Sequence, residues 1–407
     1  MRNKINLINQ NESTDIKRRR FLRNAILGAT GGLLLSSFKP LSYAVISTSG
    51  SKRKLKPELY GDWWLIGPPP PVSKDIPAEV PKTKEEIDRI CEISGMSKED
   101  CLLYAQKQAG RKSRFEPVDH HVFHGPDGYW HLWGCIRGTG YGRILYHWRA
   151  KEITNSPWEL TGEFIRCNPK VGECIDDWGG QEWIQSPYII KENEKYYMFY
   201  GGHSTGRDIS GVPVGGFSKD VYRSEGQICL MTSNDGLKWE RYLFKDGLSR
   251  LFVGPGEARD PCLIKVDNLW YMYYAGYEDG DLKGRGGIFV RTSKDLINWS
   301  PYKVAHRDAT FGKTSWDHEC PHVVYKEGYF YLFRTESYWD ANTYVYRSED
   351  PLDFGVNESS AQPLLVGKIA VAAAELYDVN GTEYVSSNHD PAKGTQMSLI
   401  RWVPDNK

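Results

Sequence analysis

The chain has 407 residues, and 52 Lys and Arg balance 52 Asp and Glu, so the formal net charge is zero. That balance gives no electrostatic reason to expect nucleic acid or an acidic surface as a partner. Forty Gly, 14 Trp and 25 Tyr suit a chain of many short strands joined by tight turns.

The N-terminus reads as an address. A basic run from Lys17 to Arg23 precedes an apolar, glycine-containing stretch from Asn24 to Phe38, and Ser42-Tyr43-Ala44 resembles a small-x-small cleavage site. The pattern resembles a twin-arginine export signal, departing from it at Lys17, where Ser or Thr is common. The apolar stretch is too short for a membrane span. Residues 1–44 are therefore set apart as a signal. The mature chain is expected in the periplasm or outside the cell, with no stable membrane insertion once the signal is removed. All eight Cys lie beyond the signal. An exported chain could pair them, with Cys91/Cys101 and Cys167/Cys174 the close pairs, but a chain this long can equally keep them as buried thiols. No Cys or His spacing resembles a zinc site.

Residues 45–114 read as an extended arm followed by a small helical appendage. The arm carries a proline run, Pro68 to Pro71, and a strand-like stretch around Gly61 to Leu65. Thr83 with Glu86, and Ser97 with Asp100, form capping boxes ahead of two short helices, and Gly95 and Gly110 fit their ends.

From Phe115 the apolar period becomes two and stays so to the end. Five segments share one layout of strand, Gly/Asn/Asp turn and aromatic-rich strand, beginning near Val118, Ile184, Ala258, His318 and Ala373. A second repeat interleaves with them. Leu230-Met231-Thr232-Ser233-Asn234-Asp235, Val290 to Asp295 and Val345 to Asp350 share an apolar residue, a Ser and an Asp, with an aromatic following. Two independent repeats, each unit worth about four strands, predict an all-β fold: a five-bladed β-propeller over residues 115–407.

Residues at equivalent inner-strand starts of a propeller converge on its axis, however distant in sequence. Asp119, Asp260 and Glu319 stand near three such starts. With Asp119, Arg259-Asp260-Pro261 and Glu319-Cys320 in this order, the chain from about residue 115 resembles the five-bladed glycoside hydrolases. These are the β-fructosidases of families 32 and 68 and the arabinanases and xylosidases of family 43. The fructosidases carry Asn-Asp-Pro-Asn-Gly in the first blade, whereas Asp119 here is followed by His120-His121, which separates the scaffold from the fructose substrate.

The resemblance implies an exported glycoside hydrolase acting on a plant- or alga-type oligo- or polysaccharide. It assigns Asp119 as nucleophile or base, Asp260 as transition-state stabiliser and Glu319 as acid. The chemistry requires an acid kept protonated near neutral pH by burial or a nearby negative charge, and a carboxylate on the opposite face of the sugar. Arg259, His121 and His318 are candidates for contacts to sugar hydroxyls, and Trp178 and Trp316 for stacking on sugar faces. Glu257 and Glu375 rival Glu319 as the acid. No cofactor is required by this chemistry. A structural calcium ion is one option, because His389 sits where family 43 relatives place a His near an axial calcium. The alternatives are an inverting arabinanase- or xylosidase-like hydrolase and a glycan-binding propeller without catalysis. A glycoside phosphorylase is a third, set back by the absence of an evident basic cluster beside the acids in sequence. The glycine-rich run Gly138 to Gly142 lacks the spacing and the following helix of a dinucleotide loop.

Overall fold

The computed structural model describes residues 39–40, 52–80, 82–94, 98–110, 115–173, 175–176, 181–203, 226–278 and 285–406. All of them fall in the compact unit that starts at Phe38. The export-signal motif, Ser97, Cys174 and Trp178 lie outside the described residues. No helix among the described residues is long and apolar enough to cross a membrane.

Among the described residues five antiparallel blades follow one another, each with four main strands, and Lys39–Pro40 adds a short fifth strand beside the inner strand of the last. Blade 1 runs Glu116–His124, Trp130–Thr139, Gly142–Ala150 and Glu159–Ile165 from inner to outer strand. Blade 2 is built from Gln181–Glu192, Lys195–His203, Gly226–Ser233 and Arg250–Val253. Blade 3 is Arg259–Val266, Leu269–Tyr277, Gly286–Ser293 and Lys303–His306. Blade 4 is Glu319–Lys326, Tyr329–Ser337, Asn342–Ser348 and Leu365–Ala370. Blade 5 takes Glu375–Val379, Thr382–Ser387 and Thr395–Pro404 from the C-terminal end. Its outermost strand is Leu55–Gly67, paired with Thr395–Pro404. Side chains close the ring between the last blade and the first. Asn388 Nδ2 donates to Pro117 O at 3.2 Å, and the Val122 N–H donates to Tyr377 Oη at 3.3 Å.

The strand Leu55–Gly67 corrects the sequence-based division of the chain. The propeller does not begin at residue 115, because the arm supplies a blade strand and fastens the N-terminal part of the unit to the C-terminal strand. Periodicity missed this because the strand pairs on one edge only and its burial is uneven, with a long half-exposed middle. Ile66 is nevertheless fully buried, among Leu132, Trp148 and Met397. Ile66→Ala is therefore expected to destabilise the propeller by about 2–4 kcal/mol, the usual cost of a buried large-to-small change. Chemical denaturation of the mature chain would measure it, and an unchanged midpoint would make the arm an appendage after all.

The two helices are Lys84–Ser94 and Lys98–Gly110. Thr83 and Glu86 form the expected reciprocal cap, with Thr83 N–H donating to Glu86 Oε2 at 2.7 Å and Glu86 N–H to Thr83 Oγ1 at 3.2 Å. A disulfide between Cys91 and Cys101 ties the pair together, while Cys135, Cys229 and Cys262 are buried thiols.

The second sequence repeat proves to be a turn device. Each copy lies at the end of a third strand, where the Ser hydroxyl and the Asp carboxylate accept backbone N–H groups. Asp235 Oδ1 takes those of Leu237 and Lys238 at 2.9 and 2.8 Å, and Asp295 Oδ1 takes those of Ile297 and Asn298 at 3.0 and 2.8 Å. Asp350 Oδ1 takes the N–H of Leu352 at 2.8 Å. Such turns recur because a short acceptor side chain satisfies backbone donors that leave the ladder.

Candidate active site

The site is built on one backbone irregularity repeated around the axis. Asp119, Ser186, Asp260, Cys320 and Ala373 are non-glycine residues with φ of 41°, 53°, 58°, 47° and 49°. In blades 1 to 4 the pairing of the inner hairpin breaks register at that residue. A left-handed backbone costs on the order of 1 kcal/mol or more for such residues, so its recurrence at one place in all five blades marks a site rather than an accident of loop closure. The bulge turns each of these side chains toward the axis and toward its counterparts.

This geometry revises the alignment of the acids. Asp119 and Asp260 occupy equivalent positions, but the equivalent residue in blade 4 is Cys320, and Glu319 precedes it by one. Glu319 is therefore the structural counterpart of Arg259, and those two side chains meet. Arg259 Nη2 donates to Glu319 Oε1 at 3.0 Å, and Nη1 donates to Glu257 Oε2 at 2.8 Å. Its Nε lies 3.6 Å from Asp260 Oδ2. One guanidinium thus faces three carboxylates, two of them as hydrogen-bonded partners.

The axial residues are linked directly. Ser186 Oγ lies 2.6 Å from Asp260 Oδ1 and 3.1 Å from Asp119 Oδ2. A hydroxyl carries one proton, so it serves one carboxylate at a time and couples the two. Cys320 N–H donates to Asp260 Oδ2 at 3.0 Å. Tyr338 Oη donates to Asp119 Oδ1 and lies 2.9 Å from Cys320 Sγ, which is itself 3.6 Å from Asp119 Oδ1. Burial and the neighbouring acids push the Cys320 thiol and the Tyr338 phenol well above their ordinary values, so both remain protonated donors.

Glu319 has the environment of a proton donor. Burial, opposed by Arg259 and reinforced by Asp260 and Asp119, raises it to about 7. Its side chain keeps 23% of its surface, enough to meet a bound molecule. Asp260 is also raised, first by burial and then by Asp119.

Asp119, Asp260 and Glu319 line one cavity of about 1100 Å³, open solvent included. Arg259, Glu257, Tyr338 and Trp316 share its walls, as do Trp183 and Trp339. Trp316 and Trp339 are 57% and 68% exposed, so two indoles stand at the opening. Beneath the acids a smaller space of about 300 Å³ is lined by Asp119, Ser186, Asp260 and Cys320, with His120 and Glu375 on its walls. The cavity wall also holds Arg137 and Arg143 from blade 1. The basic groups not evident beside the acids in sequence are thus present in space.

Other sequence candidates fall elsewhere. His121 is buried with Nδ1 2.8 Å from Glu375 Oε2 and its ring against Tyr188, away from the walls of the larger cavity. That contact, with burial opposed by His121, holds Glu375 below the usual carboxylate range, the opposite of what a rival acid needs. Glu257 is engaged by Arg259. His318 is buried, its Nδ1 3.0 Å from Thr314 O, and does not line the cavity. His389 packs on Trp63 at 4.7 Å, and its ring nitrogens lie 2.9 Å from Ser387 Oγ and 3.3 Å from Gln396 Nε2. Both nitrogens are thus within hydrogen-bonding distance of protein groups. Among the described residues, the side chains close enough to share a metal ion are Asp119, Asp260 and Cys320, without His389. Ser186, Cys320 and Tyr338 escaped the sequence reading, although Ser186-Pro187 and Cys320-Pro321 repeat the Asp260-Pro261 pattern and could have revealed the first two.

Residues 176–329 match the family model described as the glycosyl hydrolases family 32 N-terminal domain. A beta-1,2-mannobiose phosphorylase of Thermoanaerobacter sp. (strain X514) is 28% identical over 130 residues, which cover 30% of this chain and 39% of that protein. The matched part thus spans about two fifths of that curated relative's length. Among solved structures, an alpha-L-arabinofuranosidase from Lactobacillus brevis aligns with a TM-score of 0.47 at 14% identity, over 72% of this chain and 94% of that one. A Bombyx mori family 32 beta-fructofuranosidase aligns with a TM-score of 0.46 at 16% identity, over 79% and 68%. The family match includes Arg259-Asp260-Pro261 and Glu319-Cys320, and it supports the resemblance to the five-bladed glycoside hydrolases drawn from those motifs.

Proposed function

We propose that this chain, which resembles the five-bladed glycoside hydrolases, cleaves a glycosidic bond in the cavity lined by Asp119, Asp260 and Glu319. The observation that carries the reading is a protonatable Glu319, raised to about 7, sharing one cavity with two axial aspartates. Glu319 protonates the leaving oxygen. Asp119, oriented by Tyr338 and Ser186, acts as nucleophile or as base toward water. Asp260 stabilises charge at the ring and helps keep Glu319 protonated. A binding module has no use for a carboxyl group raised toward neutrality inside a cavity beside two others, and this favours catalysis over binding alone.

The substrate is an oligo- or polysaccharide of plant or algal type, met outside the cytoplasm after export. Exposed Trp316 and Trp339 at the opening suit the C–H faces of sugar rings. Trp316→Ala is expected to raise KM about fivefold, the effect of losing about 1 kcal/mol of stacking, with kcat nearly unchanged. An unaltered KM on the natural substrate would remove Trp316 from the binding surface.

The function is tested by incubating the mature chain with aryl glycosides and plant and algal oligosaccharides, with Glu319→Gln alongside. Turnover of one glycone that collapses in the variant supports the reading. Sugar binding without turnover on any substrate would make the protein a binding module. Proton NMR of the first-formed product gives the anomeric configuration, and with it the choice between retention and inversion.

A further inference from the structure

The glycine-rich run Gly138 to Gly142 has no part in the acid chemistry, yet its place in the fold is well defined. It is the turn between the second and third strands of blade 1, closed by the pair Thr139 and Gly142. Gly138 and Gly142 have φ of 83° and 111°, and Thr139 Oγ1 donates to Gly142 O at 2.8 Å. Gly140 N–H donates to Pro77 O at 2.7 Å, and a Cβ there would come within 2.9 Å of Ala78 O. The turn is thus fixed against the arm, and the strands on either side carry Arg137 and Arg143 into the cavity wall beside Asp119.

Arg143 is held in place without a carboxylate partner among the described residues, whereas Arg137 is held by one. Arg143 lies over the Trp183 ring at 4.1 Å and donates to Gln185 Oε1. Among the described residues it makes no ion pair. Arg137 stands 5.8 Å from the Trp339 ring and uses its Nε on Glu116 Oε2 at 2.7 Å. Arg259, in the same cavity wall, faces three carboxylates instead. The cavity therefore has Arg259 spent on three carboxylates, Arg137 paired with one, and Arg143 with none among the described residues, the last two set against indole rings. A planar fork of donors with little rotamer entropy left to lose is the arrangement that recognises an oxyanion.

We propose that Arg143 and Arg137 form an oxyanion subsite in the cavity, next to Asp119. The proposal rests on the reading of this cavity as a sugar site. The oxyanion is either free inorganic phosphate or an acidic group, sulfate or carboxylate, carried by the sugar. In the first case phosphate takes the place of water. Its oxygen forms the bond to the anomeric carbon as the carbon–oxygen bond to the leaving group breaks. Glu319 gives its proton to the leaving oxygen and regains one from the glycosyl phosphate or solvent. In the second case Arg143 selects an acidic sugar and water remains the acceptor.

Calorimetric titration of the full mature chain with inorganic phosphate, with sulfate and with a uronic-acid or sulfated oligosaccharide tests this, using wild type, Arg143→Gln and Arg143→Lys. Binding of at least one of these anions is expected, weakened about tenfold or more by Gln and partly restored by Lys, as loss of a charge-assisted contact predicts. Phosphate binding with a glycosyl phosphate product identifies the free anion. Binding of the acidic oligosaccharide alone identifies the substituent. Equal anion binding in all three proteins, or none in a correctly folded wild type that hydrolyses neutral glycosides, overturns the subsite and leaves the hydrolase reading standing. Arg143-dependent anion binding without turnover on any glycoside does the reverse. Circular dichroism melts of both variants separate loss of binding from loss of fold.

Discussion

Glu319→Gln is expected to lower kcat/KM by about 10³-fold, within the range for losing a positioned general acid. It is also expected to remove the alkaline limb of the pH profile. The carboxyl group is raised to about 7. It is protonated and able to donate below that value and ionised above it, so wild-type activity should fall as pH rises through about 7. The amide does not titrate, and the residual activity of the variant should be flat across the same window. Because Arg259 pulls Glu319 down against burial and the two aspartates, Arg259→Gln should move the limb to higher pH. A structural role for Glu319 would produce no such displacement. An aryl glycoside whose leaving group needs no proton should lose far less in Glu319→Gln than an oligosaccharide does. Equal losses on both substrates, with the alkaline limb intact, would assign the proton to another group.

The fold was legible because two repeats agreed, and the structure explains why each exists. The aromatic hairpins are inner strands, and the Ser-x-Asp segments are side-chain-capped turns. The Leu55–Gly67 strand was not legible, because a closing strand is defined by a partner more than 300 residues away and not by its own pattern. Among the acids, motif order brought Asp119, Asp260 and Glu319 to one cavity, but motif reading placed all three on equivalent positions. The backbone separates them, since Cys320 takes the left-handed position and Glu319 stands where Arg259 does. That one-residue offset gives Glu319 its partner and directs it to the open cavity, while the residue behind it faces the axis. Tyr338 could not be read from sequence at all. It follows the second strand of blade 4, with no motif to mark it, and reaches Asp119 of blade 1 only because the ring closes. The basic wall was missed for a related reason, as Arg137 and Arg143 meet the acids through a hairpin that sequence offered only as a failed nucleotide loop.

Asp119→Asn carries the second large expected effect, a loss of about 10³-fold or more in kcat/KM, since a carboxamide can neither attack carbon nor accept a proton usefully from water. The surrounding donors sharpen the expectation. Tyr338 Oη donates to one oxygen of Asp119 and Ser186 Oγ faces the other at 3.1 Å. An amide must turn its NH₂ toward one of these hydroxyls, so the geometry that orients the carboxylate is spoiled along with its charge. Tyr338→Phe keeps the carboxylate and removes one donor. It should cost about tenfold in kcat with KM little changed, the mark of a positioning residue whose work is done in the transition state. The choice between nucleophile and base is then made by Asp119→Ala in the presence of azide. The vacated space admits the small anion, and an activated aryl glycoside should regain turnover as a glycosyl azide. Inverted configuration in that azide means the carboxylate itself attacks carbon in the native enzyme if hydrolysis retains configuration, and that it activates water if hydrolysis inverts. No rescue, together with an Asp119→Asn variant that keeps most of its activity, would move the nucleophile to Asp260, the only other carboxylate that shares the axial hydroxyl of Ser186 among the described residues.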